Sequence, residues 1–453
     1  MSLKSVNPYS NQVTEEFEEY SESTLDKILI ESGDAFQKWK RTSFSHRESL
    51  MMNASRLLIK NAMKYAESIT AEMGKPLYES KAEVEKCAWV CEYYAENAEN
   101  FLKRESVETD ADISYYYYEP LGTILGIMPW NFPFWQVFRF AVPTIMAGNT
   151  VLLKHASNVQ ICARHIENVF TEAGFPSSVF RNLVIGSEKV QGILENESIR
   201  GVSLTGSEYA GRKVAETAGR KLKKSLLELG GSNAFVVLED ADLEKAVKIG
   251  VTARMQNAGQ SCIAAKRFIV HEKIHDKFIA LFREELKKIR SGDPSDENTS
   301  MGPLAGTEHA KTVEAQVRRS LEMGALVIEG GLRENSFFQP TLIVNVKPGM
   351  PVFDEEVFGP VAPVIITGST EEAILLANQT KFGLGVSLFT RDIKKAGELL
   401  PEFDDGAVFI NSLVKSDPRL PFGGTKQSGY GRELSIHGIR EFVNVKTIYI
   451  KKN

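Results

Sequence analysis

Apolar residues recur at three- and four-residue spacing through most of residues 21 to 107. DKILIESGDAFQKWKRTS and RESLMMNASRLLIKNAMKYAESITAEMG carry this period, which predicts amphipathic helices, and Gly74 with Pro76 closes the second run. EVEKCAWVCEYYAENAENFL extends the pattern as a third helix. SYYYYEPLGTILGIMPW then turns β-branched and aromatic, which predicts paired strands. From about 121 to 240, short apolar runs (TILGIM, NTVLLK, NLVIG, GVSLTG, NAFVVL) alternate with polar or helical stretches, the rhythm of parallel βαβ units. A second alternating set, with KRFIVH, ALVIEGG, PVAPVIIT, VSLFT and GAVFIN, runs from about 240 to 412. The fold class is therefore α/β, with two α/β domains in series. VNVKTIYIKKN alternates like an edge strand and is too short for a sheet of its own. Pairing with another subunit would satisfy it, so a homodimer or homotetramer is expected.

Composition agrees with a globular chain of two or three packed units: 453 residues, 43% hydrophobic and 25% charged. The 54 basic and 59 acidic residues are intermixed, so neither nucleic acid nor a membrane surface is an expected partner. Cys87, Cys91, Cys162 and Cys262 are too few for a disulfide framework and are expected to be reduced. The opening MSLKSVNPYSNQVTEEFEEY lacks the apolar core of a signal peptide, and no run approaches a membrane span, so the expected location is cytoplasmic. No metal site is expected. The histidines are scattered, and Cys87 and Cys91 share a helical face without a second ligand pair.

Four segments carry candidate chemistry. Cys262, in QNAGQSCIAAKRFIV, lies on a glycine-containing turn between a helical stretch and a strand, where a thiol can be accessible; most free cysteines are inert core residues. Glu228, in SLLELGGSNAFVVL, has apolar neighbours that would raise its pKa and suit it to act as a base, or it is a helix-end glutamate facing water. Asn131, in MPWNFPFWQ, is held between prolines where TILGIM ends; it can donate its amide to an oxyanion, or simply occupy a turn. In LTGSEYAGRKVAETAG a helix begins after Gly206 and Ser207, a natural phosphate site that lacks the G-x-G-x-x-G fingerprint.

Together the segments resemble the aldehyde dehydrogenase superfamily, and within it the succinate-semialdehyde dehydrogenases most. The resemblance runs along nearly the whole chain in the family's order: PWNFP at 129–133, LLK ending at Lys154, LTGS at 204–207, ELGG at 228–231, GQSC at 259–262, EEVFGP at 355–360 and PFGGTKQSG at 421–429. It implies a Rossmann-like NAD(P)-binding domain (1–101 and 121–229), a catalytic domain (230–431) and a small β oligomerisation element (102–120 and 432–453). It further implies that Cys262 attacks the aldehyde as a thiolate, that Asn131 and the Cys262 N–H hold the oxyanion, and that oxidation leaves a thioester which Glu228 helps water to hydrolyse. Trp130, Lys154, Ser157, Gly206, Ser207, Leu229, Glu356 and Phe358 match the family's cofactor-binding positions.

Ser157 stands where NAD-preferring members often carry a ribose-binding glutamate. Without that carboxylate a 2′-phosphate is not repelled, so NADP is tolerated or preferred, while NAD is not excluded. His155 replaces the usual proline after the ribose lysine. Arg139, eight residues after Asn131, matches the arginine of succinate-semialdehyde dehydrogenases and would clamp a substrate carboxylate, or else turn outward to a carboxylate at a subunit interface. Phe132, Trp135 and Phe422 would line the tunnel, and Ser416 and Arg419 lie on the loop facing it. A second arginine of some such enzymes is here Gln256, for which Arg419 is a candidate replacement; Ala264 stands where some carry a second cysteine, so no redox switch is expected.

The expected substrate is thus a small aldehyde carrying a carboxylate. One alternative is a broad enzyme for uncharged aldehydes. A CoA-acylating enzyme would generally lack Glu228. An alternative of another class, a non-catalytic cofactor-binding scaffold, would not need nucleophile, base and oxyanion donor together.

Overall fold

A computed structural model describes residues 2–452. Met1 and Asn453, which the expected domain ranges include, lie outside the described residues. Four helices, Glu22–Trp39, Phe44–Lys60, Ala62–Met73 and Leu77–Phe101, occupy the segment with helical periodicity. Asn61 divides the second predicted run, and Gly74 in the left-handed region (φ 76°) ends the third helix. Ahead of them Ser2–Val6 and Val13–Glu18 pair as an antiparallel ribbon that the periodicity did not indicate.

Two sheets form the body. The first runs in the order Gly429–Tyr430, Lys224–Glu228, Ile199–Thr205, Thr123–Met128, Thr150–His155, Phe180–Asn182. All its pairings are parallel except that of Gly429–Tyr430 with Lys224–Glu228. The second runs Leu326–Glu329, Thr341–Val344, Val361–Thr367, Ala265–His271, Asn233–Val237, Val386–Phe389, Val408–Ile410, and only its first pair is antiparallel. NAFVVL, the last run of the first alternating set, therefore opens the second sheet. Buried side chains pack both faces of each sheet, as the continuous apolar strands require.

Two expectations are corrected. The strands in SYYYYEPLGTILGIMPW do not pair with each other: Thr123–Met128 is central to the first sheet, whereas Ile113–Pro120 leaves for a separate three-stranded sheet. There it pairs antiparallel with Val443–Ile450 across eight residues, so the C-terminal strand has a partner within its own chain. The other edge of Val443–Ile450 is open, and Val445, Tyr449 and Ile450 are exposed on it. Among the described residues no helix is long and apolar enough to cross a membrane.

Two buried carboxylates fix helix starts that have no cap of their own. Glu72 accepts from the N–H groups of Ile161 and Cys162 at 2.8 Å, at the start of Gln160–Glu172. Glu83 accepts from Phe134 at 2.9 Å and Trp135 at 3.0 Å, at the start of Trp135–Met146, and its other oxygen pairs with buried Lys75. Each places negative charge on the positive end of a helix.

Candidate active site

The carboxyl ends of the first sheet converge where its strand order reverses, between Thr123–Met128 and Ile199–Thr205. Such reversals open a crevice. Trp130 and Asn131 follow the first of these strands, Gly206 and Ser207 the second, and Lys154 and Ser157 lie at the end of Thr150–His155. Ser207 caps Glu208–Arg220, accepting from the Ala210 N–H at 3.3 Å. His155 is buried and neutral, its pKa pushed down to about 4 by desolvation. Its Nε2 donates to the Pro133 carbonyl at 2.9 Å and its Nδ1 accepts from the Ala156 N–H at 2.9 Å, so the imidazole ties the end of the strand to the PWNFP turn.

Cys262 enters from the second sheet, just before Ala265–His271. Three residues ahead of it, Asn257, Ala258 and Gly259, lie consecutively in the left-handed region at φ 54°, 51° and 74°. A Cβ at Gly259 would collide with the Gly359 carbonyl, so glycine is required there. Hydrogen bonds hold this strained turn. The Asn257 N–H donates to Glu79 at 2.9 Å, and its side-chain amide donates to the carbonyls of Asn131 (2.8 Å) and Gln260 (3.1 Å). The Asn131 amide in turn donates to the Gln260 carbonyl at 3.1 Å. Asn131 and the nucleophile turn are thereby one hydrogen-bonded unit.

Two cavities meet at this turn. One, of about 270 Å³, is lined by Phe132, Trp135, Arg139, Gln256, Ser416 and Phe422 among others, and also by Lys86 and Glu79. The other, of about 240 Å³, is lined by Trp130, Asn131, Gly206, Ser207, Leu229, Glu356 and Phe358, with His309 and Thr205. Cys262 and Gln136 line both. The two glycines of ELGG make the junction possible. At Gly231 a Cβ would stand 2.8 Å from the Cys262 carbonyl, and at Gly230 it would strike Glu356. Glu356 accepts from the Gly231 N–H at 3.0 Å and from Lys266 at 2.8 Å, and Lys266 also donates to the Cys262 carbonyl at 2.9 Å.

Burial pushes the Cys262 thiol up to about 11; the Lys266 and Arg139 cations oppose this, and Glu356 and Glu228 add to it. Glu228 is 2% exposed, neither carboxylate oxygen has a partner, and it lines neither cavity. Its pKa is well above the carboxylate range, chiefly through burial and then through Glu433.

Arg139 does not have the free charge expected of a clamp. It lies on the cavity wall, but its Nε pairs with buried Glu433, its guanidinium covers the Phe422 ring at 4.5 Å and Nη2 reaches Thr205 at 3.4 Å. Arg419 is likewise misplaced for that role: it pairs with Asp417 at 2.8 Å, two-thirds exposed, stacked on Trp89 and outside the cavity lining. Both corrections have one reason. Each arginine finds an intrachain carboxylate; for buried Arg139 such a partner is what makes the charge tolerable, whereas exposed Arg419 is held by its neighbour two residues away. Ser416 and Trp135 do face the cavity, and Trp135 Nε1 donates to Ser416 Oγ at 3.0 Å. Lys86, Glu79, Asn257, Lys266 and Glu433 were not singled out in the sequence. Only Lys86 and Glu79 left a trace there, as two charges seven residues apart and so on one face of an amphipathic helix.

A sulfur at the junction of two cavities, one beside a capped helix start on a parallel sheet, defines a cysteine-dependent enzyme with a nucleotide-cofactor fold. The aldehyde dehydrogenase family matches residues 1–448, and the chain belongs to that family. It is 45% identical to a probable succinate-semialdehyde dehydrogenase [NADP(+)] of Synechocystis, over 99% of this chain and 100% of that one. A succinate-semialdehyde dehydrogenase [NADP(+)] 1 of Mycobacterium tuberculosis is 44% identical over 99% of this chain and 100% of its own. The crystal structure of succinic semialdehyde dehydrogenase from Streptococcus pyogenes, in complex with NADP+, superposes with a TM-score of 0.97 at 37% identity, covering 99% and 100% of the two chains.

Proposed function

We propose that this enzyme oxidises succinate semialdehyde, or a close aldehyde carrying a carboxylate, to the dicarboxylic acid through a thioester on Cys262, with NADP+ as the preferred cofactor. The observation that carries the reading is the position of Cys262, shared by the two cavities.

The cavity of about 240 Å³ suits the nicotinamide and pyrophosphate end of a dinucleotide, and Lys154 and Ser157, outside its lining, lie at the end of the neighbouring strand Thr150–His155. Ser207 presents a helix N-terminus, Trp130, Leu229 and Phe358 supply apolar walls, and Lys154 is a buried ammonium without an ion pair among the described residues. Lys154 and Ser157 would hold the adenosine ribose and its 2′-phosphate, and Glu356 the nicotinamide ribose. When bound, the nicotinamide supplies the electron acceptor.

The chain's own residues do the rest. The Cys262 thiol gives its proton to water, the sulfur adds to the aldehyde carbon, and the resulting oxyanion is met by the Asn131 amide and by the Cys262 N–H, which has no protein acceptor among the described residues. Once the thioester has formed, Glu228 turns from its buried position and takes a proton from the attacking water, and the acid leaves as Cys262 is regenerated. A homo-oligomer built on the open edge of Val443–Ile450, in a reducing cytoplasm suited to four free thiols, completes the reading.

Initial rates with succinate semialdehyde, glutarate semialdehyde and hexanal, each with NAD+ and NADP+, test it. The expected result is highest kcat/KM for succinate semialdehyde with NADP+; equal values for hexanal would return the enzyme to the broad-specificity class.

A further inference from the structure

Resting on the reading that the substrate carries a carboxylate, we propose that Lys86, together with Ser416, is the carboxylate-binding end of the substrate cavity, in the place expected of Arg139.

Lys86 projects from Leu77–Phe101 into the cavity that Cys262 also lines. Its Nζ donates to Ser416 Oγ at 2.9 Å and lies over the Trp135 ring at 4.1 Å. Neither partner carries negative charge. Of the other charges around it, Glu83 is met by Lys75 and two helix amides, Arg139 by Glu433 and Asp417 by Arg419, while Glu79, on the same cavity wall, accepts from the Asn257 N–H and the Tyr78 hydroxyl and is raised to about 7 by burial. Lys415 also lines the cavity but is exposed. Lys86 is thus the half-buried cation in this cavity that has no carboxylate partner among the described residues.

The polar geometry suits a guest carboxylate. Ser416 Oγ accepts from both Lys86 and Trp135 Nε1, which uses its lone pairs and leaves its hydroxyl proton free to donate. An ammonium has three protons, of which one is committed here. A carboxylate would therefore meet two unspent ammonium protons and the Ser416 hydroxyl, on atoms 2.9 Å apart, flanked by the apolar walls of Phe132 and Trp135. Burial, with the Arg139 charge, lowers the Lys86 ammonium to about 8, opposed by Cys87, Glu83 and Asp417; a bound anion would reverse that shift.

The test compares wild type, Lys86→Gln and Lys86→Arg by the ratio of kcat/KM for succinate semialdehyde to that for hexanal. Lys86→Gln is expected to lower the ratio about 10- to 100-fold through KM, as loss of a charge-assisted contact does, and Lys86→Arg to recover most of it. A ratio kept by Lys86→Gln while wild type favours the semialdehyde overturns the assignment alone. A wild type without that preference overturns the substrate reading beneath it. Should Lys86→Gln not fold, competitive inhibition of hexanal oxidation by butyrate decides. Inhibition that weakens as pH rises through about 8 in wild type but not in Lys86→Arg supports Lys86, and the same pH profile in both overturns it, since Glu79, titrating near 7, is common to both.

Discussion

Arg139 and Glu433 face each other as an ion pair, 2% and 3% exposed, in the wall between the substrate cavity and Glu228. Neither Glu433 oxygen has hydrogen-bond geometry, so the pair is held by charge. The negative member raises the Glu228 pKa and the positive member lowers it. Glu433→Gln should therefore ease ionisation of Glu228, and the acid limb of the kcat profile should move to lower pH. An unmoved profile in a folded variant would separate Glu433 from the base.

Cys262 should ionise late in the free enzyme. With its thiol pushed up to about 11, alkylation by iodoacetamide should accelerate about tenfold per pH unit from about pH 7 to pH 10. A plateau below about pH 8 would show that the thiolate is already formed at rest.

Ser157 sets the tolerance for a 2′-phosphate in this account. Ser157→Glu places a carboxylate at that turn and should lower kcat/KM with NADP+ by about 10-fold or more, with a smaller change for NAD+. Equal losses with both cofactors would place Ser157 away from the ribose.

Glu83 carries structural weight that its position in the sequence does not advertise. It caps Trp135–Met146 and neutralises Lys75, both buried. Glu83→Ala should destabilise the fold by about 3–5 kcal/mol, since it leaves a buried ammonium unpaired. Urea titration would show this as a lower midpoint with unchanged slope.

The parts legible in sequence are those in which chemistry and local structure coincide. Asn131 and Ser207 follow short apolar runs, Glu228 ends one and Cys262 precedes one, and most strands of the two sheets fall on such runs; NLVIG is an exception, since the strand there is Phe180–Asn182. What was hidden depends on distant pairing. Lys86 reads as one more charge on an amphipathic helix, and its exposure to the Cys262 cavity follows only from how that helix packs. Arg139 reads as a clamp because Glu433, far along the chain, cannot be placed beside it without the strand Gly429–Tyr430 crossing back to Lys224–Glu228. The strained Asn257–Gly259 turn was invisible for a similar reason: Asn257 and Ala258 are ordinary residues whose left-handed conformation is imposed by Glu79 and Asn131.

The central claim is that the acyl group passes through Cys262 and is released by Glu228. Mass spectrometry of Glu228→Gln after one turnover with succinate semialdehyde and NADP+ tests it most directly. A succinyl group on the Cys262 peptide, accompanied by one equivalent of NADPH and little further turnover, is predicted. Full turnover in that variant, or an unmodified Cys262 peptide after NADPH has formed, would contradict it.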